Sequence, residues 1–123
     1  MKPDFRNIES DTLKNNNYRK VIYTVPDELQ LVLMSLTPGE DIPSETHNST
    51  TQFIRVESGY GYAQIGTKKY KLKDGISVVI PPKKKHYIKN TSKSKSLKIY
   101  TIYSPPEHPK NLIQKRQQVK NLC

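Results

Sequence analysis

The architecture is indicated most directly by residues 52–80, which read QFIRVESGYGYAQIGTKKYKLKDGISVVI. Four short runs rich in β-branched and aromatic residues alternate there with the turn sequences Ser58-Gly59, Gly66-Thr67 and Asp74-Gly75. Short runs of this kind, separated by turns that contain glycine, are typical of antiparallel strands. The stretch therefore predicts consecutive β-strands joined by tight turns.

The same pattern extends outward in both directions along the chain. Strands are predicted over residues 21–25, 29–36, 52–57, 60–65, 68–72, 76–80, 86–89 and 97–103. The run 29–36, LQLVLMSL, is apolar on both faces, as expected of a strand buried between two layers. Because short strands at regular spacing favour a sandwich or barrel over βαβ units, the predicted fold class is all-β.

The length of 123 residues corresponds to one domain, since domains usually contain roughly 100–200 residues. We expect an N-terminal arm over residues 1–18, a barrel over 19–104, and a Pro-rich exit with a basic tail over 105–123. Within that tail, residues 112–122 carry a thin apolar stripe among polar and charged residues. This stretch is interpreted as either a short peripheral helix or a loose tail.

Several classes of protein are disfavoured by composition. No apolar run approaches the roughly 18 residues that a membrane helix needs, and the N-terminus lacks the apolar core of a signal peptide. The single cysteine, Cys123, excludes an intramolecular disulfide and any metal site built from several cysteines. We therefore expect a cytoplasmic protein.

The formal net charge is +10, and the lysines cluster near residues 68–73, 83–85 and 93–98. A basic excess of this size can attract nucleic acid or another polyanion. However, no aromatic residues are interleaved regularly with the lysines, and no helix-turn-helix or RNA-recognition pattern is present. Lysines spread over solvated faces are the simpler interpretation, and nucleic-acid binding stays open as an alternative.

Strand alternation turns two polar residues inward, because positions two apart share a face. In the run 52–57, Gln52 shares its face with the aliphatic residues Ile54 and Val56. In the run 86–90, His86 shares its face with Ile88. Both polar side chains are therefore predicted to face the barrel interior.

Two further residues with ligand chemistry, Glu45 and His47, are two positions apart. They reach in the same direction if the backbone is extended there. A barrel interior that holds Glu, Gln and two His needs a compensating partner, because buried polar and charged groups are costly when they are unpaired. A divalent metal ion would be such a partner.

The spacing of these residues resembles the two motifs of the cupin family, G-x5-H-x-H-x3,4-E-x6-G and G-x5-P-x-G-x2-H-x3-N. The positions that fit both spacings are, in order, Gly39, Glu45, His47, Gln52 and Gly59, then Gly75, Pro81, Lys83, His86 and Asn90. Three of them differ in residue type. Glu45 replaces the first His, Gln52 replaces Glu, and Lys83 replaces Gly.

The resemblance implies a cupin double-stranded β-helix, or jelly-roll, barrel. It also implies a divalent first-row metal ion (Mn, Fe, Ni, Co or Zn), a small-molecule ligand or substrate, and a homodimer. The runs 58–61 and 79–81 and the exit segment 100–109 further resemble small single-domain cupins described as mannose-6-phosphate-isomerase-like. That description names a similarity and assigns no activity.

Carried over position by position, the resemblance places the metal ligands at Glu45, His47, Gln52 and His86. Glu45 and the two histidines form a two-His-one-carboxylate set. Gln52 is either a fourth ligand or a hydrogen-bond partner of a metal-bound water. His108, in the Pro-rich exit, is expected at the surface.

Three functions are compatible with these features. The first and favoured one is a metal-dependent enzyme that acts on a small oxygen-rich metabolite by isomerase or dioxygenase chemistry. The second is a metal-dependent module that binds a sugar or an anionic metabolite without converting it, and the third is a basic polyanion-binding protein. No general base is evident, because Glu57 and Asp74 fall at outer-face or turn positions, so the catalytic residues stay unassigned.

Overall fold

The computed structural model describes residues 1–117 and consists mainly of antiparallel strands. In chain order, the elements are α1 (Ile8–Lys14), β1 (Arg19–Val25), β2 (Leu29–Leu36), β3 (Asp41–Glu45), β4 (Thr51–Ser58), β5 (Gly61–Ile65), β6 (Lys68–Leu72), β7 (Ser77–Ile80), β8 (His86–Asn90), β9 (Leu97–Ser104) and β10 (Ile113–Gln114).

The strands form two sheets, a six-stranded sheet in the order β10-β1-β2-β9-β4-β7 and a four-stranded sheet in the order β3-β8-β5-β6. Non-consecutive strands are neighbours in both, as in a jelly roll. The core residues lie on both sheets, with Met34 and Ile54 from the first and Ala63 and Ile88 from the second, all at most 1% exposed. The all-β jelly-roll fold class is confirmed.

The predicted inward faces are confirmed. On β4, Gln52, Ile54 and Val56 are all buried, and on β8, His86 and Ile88 are buried. The strand runs predicted from the sequence each coincide with an observed strand to within two residues. Alternation was informative on these strands because each buries one face and leaves the other partly exposed.

Three elements were not predicted. The strand β3 lies in a stretch rich in turn residues, the helix α1 lies in the N-terminal arm, and β10 pairs with β1 through Lys20 and Ile113. The helical alternative for residues 112–122 is therefore wrong where that segment is described, because Ile113–Gln114 is a strand. The rest of that segment and Cys123 lie outside the described residues.

The α1 helix is short but capped, since the Asn7 side chain accepts a hydrogen bond from the Ser10 N–H at 3.0 Å. Within residues 1–117, no helix has the length and apolar character needed to cross a membrane.

The glycine turns have the conformations that the sequence suggested, with φ of +81° at Gly39, +100° at Gly59 and +89° at Gly75. At Gly59 a side chain would also collide with the chain, because a Cβ atom would lie 2.5 Å from the Ser96 carbonyl oxygen. Glycine is therefore required at this turn both by its backbone conformation and by close packing.

Candidate metal centre

Three side chains with metal-binding chemistry converge at one end of the barrel. Glu45 ends β3 and pairs in register with His86, the first residue of β8. His47 follows in the β3–β4 loop, where its carbonyl oxygen accepts a hydrogen bond from the Lys83 N–H at 2.7 Å. This bond ties the His47 loop to the turn that precedes β8.

The three residues offer ligand atoms that lie within 4.8 Å of one another. Glu45 Oε1 is 3.3 Å from His47 Nε2 and 3.5 Å from His86 Nε2, and the two imidazole centroids are 5.1 Å apart. One carboxylate oxygen and two imidazole nitrogens therefore surround a common point, an arrangement that suits a first-row divalent ion.

Gln52, the fourth predicted ligand, lies on β4 and is 2% exposed. Its Nε2 donates hydrogen bonds to the Thr101 Oγ1 at 3.1 Å and to the Tyr103 hydroxyl oxygen at 3.3 Å. These two bonds fix the amide so that Oε1, the atom able to accept or to coordinate, is the one left without a partner.

Four shielded acceptor atoms without a hydrogen-bond partner belong to the four predicted ligands. They are Oε1 of Glu45, Nε2 of His47, Oε1 of Gln52 and Nε2 of His86. Buried polar atoms are nearly always satisfied in folded proteins, since leaving one unpaired costs about 1–3 kcal/mol. A cation held by Glu45, His47 and His86 would satisfy the atoms of those three residues, so they fit a bound metal ion. Gln52 is linked to the same region through Tyr103, whose hydroxyl accepts from its amide and whose ring packs against His47.

The groups that face the far sides of the two imidazoles support this interpretation. His86 Nδ1 lies 2.9 Å from the Lys84 carbonyl oxygen, which can only accept, so Nδ1 carries the proton. His47 Nδ1 lies 3.4 Å from Oε2 of Glu107. An imidazole protonated on Nδ1 keeps its Nε2 lone pair for a metal, and a partner on Nδ1 holds the ring in place.

Glu45 and His86 shift each other's protonation. Burial opposes the charged form of Glu45, but the neighbouring His86 and His47 outweigh burial and lower the pKa of its carboxyl group. Burial likewise opposes protonation of His86, yet the Glu45 carboxylate and the Lys84 carbonyl raise the pKa of its imidazole. The carboxylate is therefore ionised at neutral pH, and it attracts a proton or a metal ion to the cluster.

Glu107 was missed by sequence reasoning, because it follows two prolines in a segment with no strand or helix periodicity. The buried side chain of Gln30 on β2 holds this segment. Its Oε1 accepts hydrogen bonds from the Glu107 and His108 N–H groups at 3.2 and 3.0 Å, and its Nε2 donates to the His108 carbonyl at 2.8 Å. The exit segment is thus held beside the candidate metal ligands.

The expectation that His108 lies at the surface is wrong. The residue is half-buried, its ring stands edge-on to Tyr103 with centroids 5.1 Å apart, and its Nε2 is shielded without a partner. Burial lowers the pKa of His108 to about 4. The imidazole is therefore neutral at pH 7.

The other polar candidates have structural roles. Asp74 accepts a hydrogen bond from the Gly59 N–H at 3.0 Å in a turn, and Glu57 lies 3.7 Å from Arg55. The Asn90 amide donates to the backbone carbonyls of Leu36 and Lys95 at 3.0 and 2.9 Å, as expected of a residue that bonds backbone at a strand end.

Comparisons with known proteins agree with this architecture. Residues 32–103 match the family described as Cupin domain. The chain is 46% identical over 114 residues to protein L612 of Acanthamoeba polyphaga mimivirus, covering 90% of this chain and 71% of L612. It is 39% identical over 114 residues to YrkC of Bacillus subtilis, covering 88% of this chain but only 60% of YrkC.

A solved structure is similar over nearly the whole chain. The crystal structure of BH2720 from Bacillus halodurans superposes with a TM-score of 0.89 at 36% sequence identity. The match covers 94% of this chain and 90% of BH2720. The exit segment beyond β9 is therefore largely included in the shared fold.

Proposed function

The chain belongs to the cupin family, and we propose that it holds a divalent first-row metal ion at Glu45, His47 and His86 and acts on a small oxygen-rich metabolite. The observation that carries the proposal is the set of four shielded, unpartnered acceptor atoms on these residues and Gln52. Single unpaired atoms occur in many proteins, but four that belong to one motif set, on residues of which three offer ligand atoms within 4.8 Å of one another, point to a ligand.

In this proposal Glu45, His47 and His86 hold the ion. The Gln52 amide oxygen is a fourth ligand or accepts a hydrogen bond from a metal-bound water. When bound, a first-row ion supplies polarisation of a substrate carbonyl or hydroxyl group, or redox chemistry with dioxygen if the ion is redox-active. Oxygen and nitrogen ligands suit Mn, Fe, Co, Ni and Zn alike, so the ligand set does not select the metal.

The protein groups around the ligands would orient the substrate and exclude water. The Tyr103 ring, 1% exposed, packs edge-on against His47 with centroids 5.8 Å apart and forms an apolar wall. Burial raises the pKa of the Tyr103 hydroxyl. This hydroxyl therefore stays protonated at neutral pH and can donate a hydrogen bond.

Glu107 is the group best placed to hold a proton next to the cluster. Its Oε2 faces His47 Nδ1 at 3.4 Å, and its side chain is 29% exposed, so it is reachable from solvent. A carboxylate in this position can keep His47 oriented and can also exchange protons with water. This fills the position for which no base was evident in the strand pattern.

The first experiment is elemental analysis of the full chain purified without chelator or affinity tag. We expect a near-stoichiometric first-row metal that is lost in both His47→Ala and His86→Ala. His108→Ala is the matched control, since it removes the third histidine of the chain without removing a proposed ligand. Wild-type protein that stays metal-free after reconstitution, or metal retained in both ligand variants, would contradict the proposal.

The metal-loaded protein then separates an enzyme from a binding module. Oxygen uptake or conversion of a small hydroxy or oxo compound, lost in His86→Ala, is expected of the enzyme. Saturable binding without conversion would indicate the binding module instead. Strongly salt-dependent binding to generic nucleic acid that survives metal removal would favour the polyanion-binding alternative.

Two expectations stay predictions: the homodimer, which the family resemblance implies, and the cytoplasmic location, which was inferred from composition. Light scattering on the purified full chain tests the first, and fractionation of cells that produce the protein tests the second.

A further inference from the structure

A cavity of about 280 Å³ opens beside the candidate metal centre. Its lining includes Arg19 of β1, Glu45 of β3, His108 of the exit segment and Gln114 of β10. Glu45 belongs to the proposed ligand set, so a molecule in this cavity would touch the centre. Among the described residues that line the cavity, Arg19 is the only lysine or arginine.

Arg19 is the first residue of β1 and is two positions from the buried Val21. Strand alternation therefore turns its side chain towards the interior of the barrel, unlike that of its neighbour Lys20. The guanidinium group is held from one side, because Nη1 donates a hydrogen bond to Oε1 of Gln114 on β10. It also lies over the ring of Tyr18, 5.3 Å from the centroid.

The Nε side of the Arg19 guanidinium group makes no hydrogen bond to the described residues. Nε of Arg19 is shielded from solvent and has no hydrogen-bond partner among the described residues. An unpaired N–H on a charged group is costly in such a position. An acceptor supplied by a ligand would remove that cost.

The electrostatic influence of Arg19 reaches the groups that surround the cavity. Its positive charge contributes to lowering the pKa of His108, although burial is the larger cause, and Glu45 lines the same cavity. The cation therefore acts on the same space as the candidate ligands. The Glu45 carboxylate offsets the charge of Arg19 in the cavity lining, so with a divalent ion at the neighbouring centre the space would carry a net positive charge and favour an anionic ligand.

We propose that this cavity binds the carboxylate group of a small organic acid, with Arg19 as the residue that pairs with it. This inference deepens the proposed function and rests on it for the identity of the neighbouring centre. With Nη1 occupied by Gln114, the guanidinium group offers the edge formed by Nε and Nη2. Two parallel N–H groups on one edge match the two oxygens of a carboxylate.

The neutral imidazole of His108 would recognise the part of the organic acid that lies outside its carboxylate group. Its Nε2 is shielded and has no partner, and His108 lines the same cavity. A neutral imidazole can exchange a hydrogen bond with a hydroxyl or carbonyl group without repelling or attracting a charge. The substrate class is therefore a short hydroxy or oxo acid.

The test compares acids with neutral molecules of the same shape. Binding of lactate and pyruvate to the full chain is measured by calorimetry beside lactamide and pyruvamide, both as purified and after metal removal. We expect the wild type to bind the acids at least about tenfold more tightly than the amides, since a charge-assisted pair contributes more than a neutral one. Inorganic phosphate is titrated in parallel, and a preference for phosphate over the acids would overturn the proposal.

Three variants locate the effect. Arg19→Met should remove the preference for acids, and Arg19→Lys should keep only part of it, because an ammonium group lacks the two-pronged edge. Lys20→Met is the matched control, since it deletes the same charge on the same strand and should bind acids like the wild type. An Arg19→Met protein that keeps the full preference for acids would overturn the proposal.

Metal content is determined on the same samples, so that the two proposals fail separately. A metal-loaded wild type without any preference for acids overturns the assignment of Arg19 and leaves the metal centre intact. A wild type that holds no metal overturns the metal centre, and the titration of the metal-free protein then still tests Arg19. If Arg19→Met does not fold, the comparison of acids with amides in the wild type and in Arg19→Lys decides the question.

Discussion

Gln30 and His108 are 78 residues apart in the chain, yet they form two hydrogen bonds, one in each direction. The Gln30 side chain is fully buried on β2, where only backbone groups of the exit segment and the Thr24 hydroxyl satisfy it. This side chain therefore helps to fix the exit segment and, with it, the position of Glu107 near His47.

Replacing Gln30 by leucine should destabilise the fold and the site together. The change leaves the N–H and carbonyl groups of the exit segment without partners, and we expect a loss of about 3 kcal/mol in the free energy of unfolding. Urea denaturation of the metal-free protein measures this loss. Gln64→Leu is the control, because that amide makes only a 3.4 Å bond to the Gly66 carbonyl; equal losses in both variants would contradict the role of Gln30.

Glu107 is expected to act on metal affinity as a positioning residue. Removal of a carboxylate that orients a metal-binding imidazole typically weakens metal binding by about 10- to 100-fold. We expect this range for Glu107→Ala and a smaller loss for Glu107→Gln, whose amide oxygen can still accept from His47 Nδ1.

Competition with a chelator measures the affinities, and the exposed Glu28→Gln provides the control for lost negative charge. The order wild type, Gln, Ala is the signature of orientation through a hydrogen bond. An alanine variant that binds metal as tightly as the wild type would show that Glu107 does not position His47.

The fold could be predicted from the sequence far more completely than the site. Alternation on β4 and β8 places Gln52 and His86 inside, because Ile54, Val56 and Ile88, which share their faces, are apolar and buried. Motif spacing then adds Glu45 and His47. These inferences need only local sequence, and local sequence is informative wherever a strand has one buried face.

The rest of the site depends on contacts that local sequence does not encode. Glu107 and His108 lie in a segment without periodicity, and their placement depends on Gln30, far away in the chain. The strand β10 contains only Ile113 and Gln114, too few residues for any period. Arg19 did carry a signal, since it shares its face with the buried Val21, but the strand was expected to begin later.

In the metal-free protein, stability should depend on pH in opposite ways through His108, which lies outside the proposed ligand set, and through His86, which belongs to it. His108 has a pKa lowered to about 4 from 6.5, so the unfolded chain takes up its proton first as the pH falls. Its contribution therefore reduces stability from about pH 6.5 downward. His86 has a raised pKa, so its contribution is fully present below pH 6.5 and is lost as the pH rises through the raised value.

Melting temperatures measured from about pH 4 to above pH 6.5 should separate the contribution of His108 from that of His86. His108→Gln is expected to reduce the loss of stability on the acid side, and His86→Gln is expected to reduce the loss on the alkaline side. Each variant is the control for the other, since both delete one imidazole. Variants with identical pH profiles would contradict the assigned protonation states.

Lys83 stands at one of the three motif positions at which this chain departs from the family pattern, and its backbone conformation can be tested. It stands where the second motif has glycine, and it has a φ of +71°. A left-handed conformation costs a residue with a side chain roughly 1–2 kcal/mol, whereas glycine adopts it readily and loses only about 0.5–1 kcal/mol through its greater freedom in the unfolded chain.

Lys83→Gly should therefore stabilise the protein by about 0.5 kcal/mol. Lys85 is exposed and has no positive φ. Lys85→Gly should therefore destabilise the protein by a similar amount. Both changes delete one lysine from the same cluster, so the difference between their unfolding free energies isolates the backbone effect. Because the Lys83 N–H binds the His47 carbonyl at 2.7 Å in either case, metal content should not change. Loss of metal in Lys83→Gly would show that the lysine side chain itself supports the His47 loop.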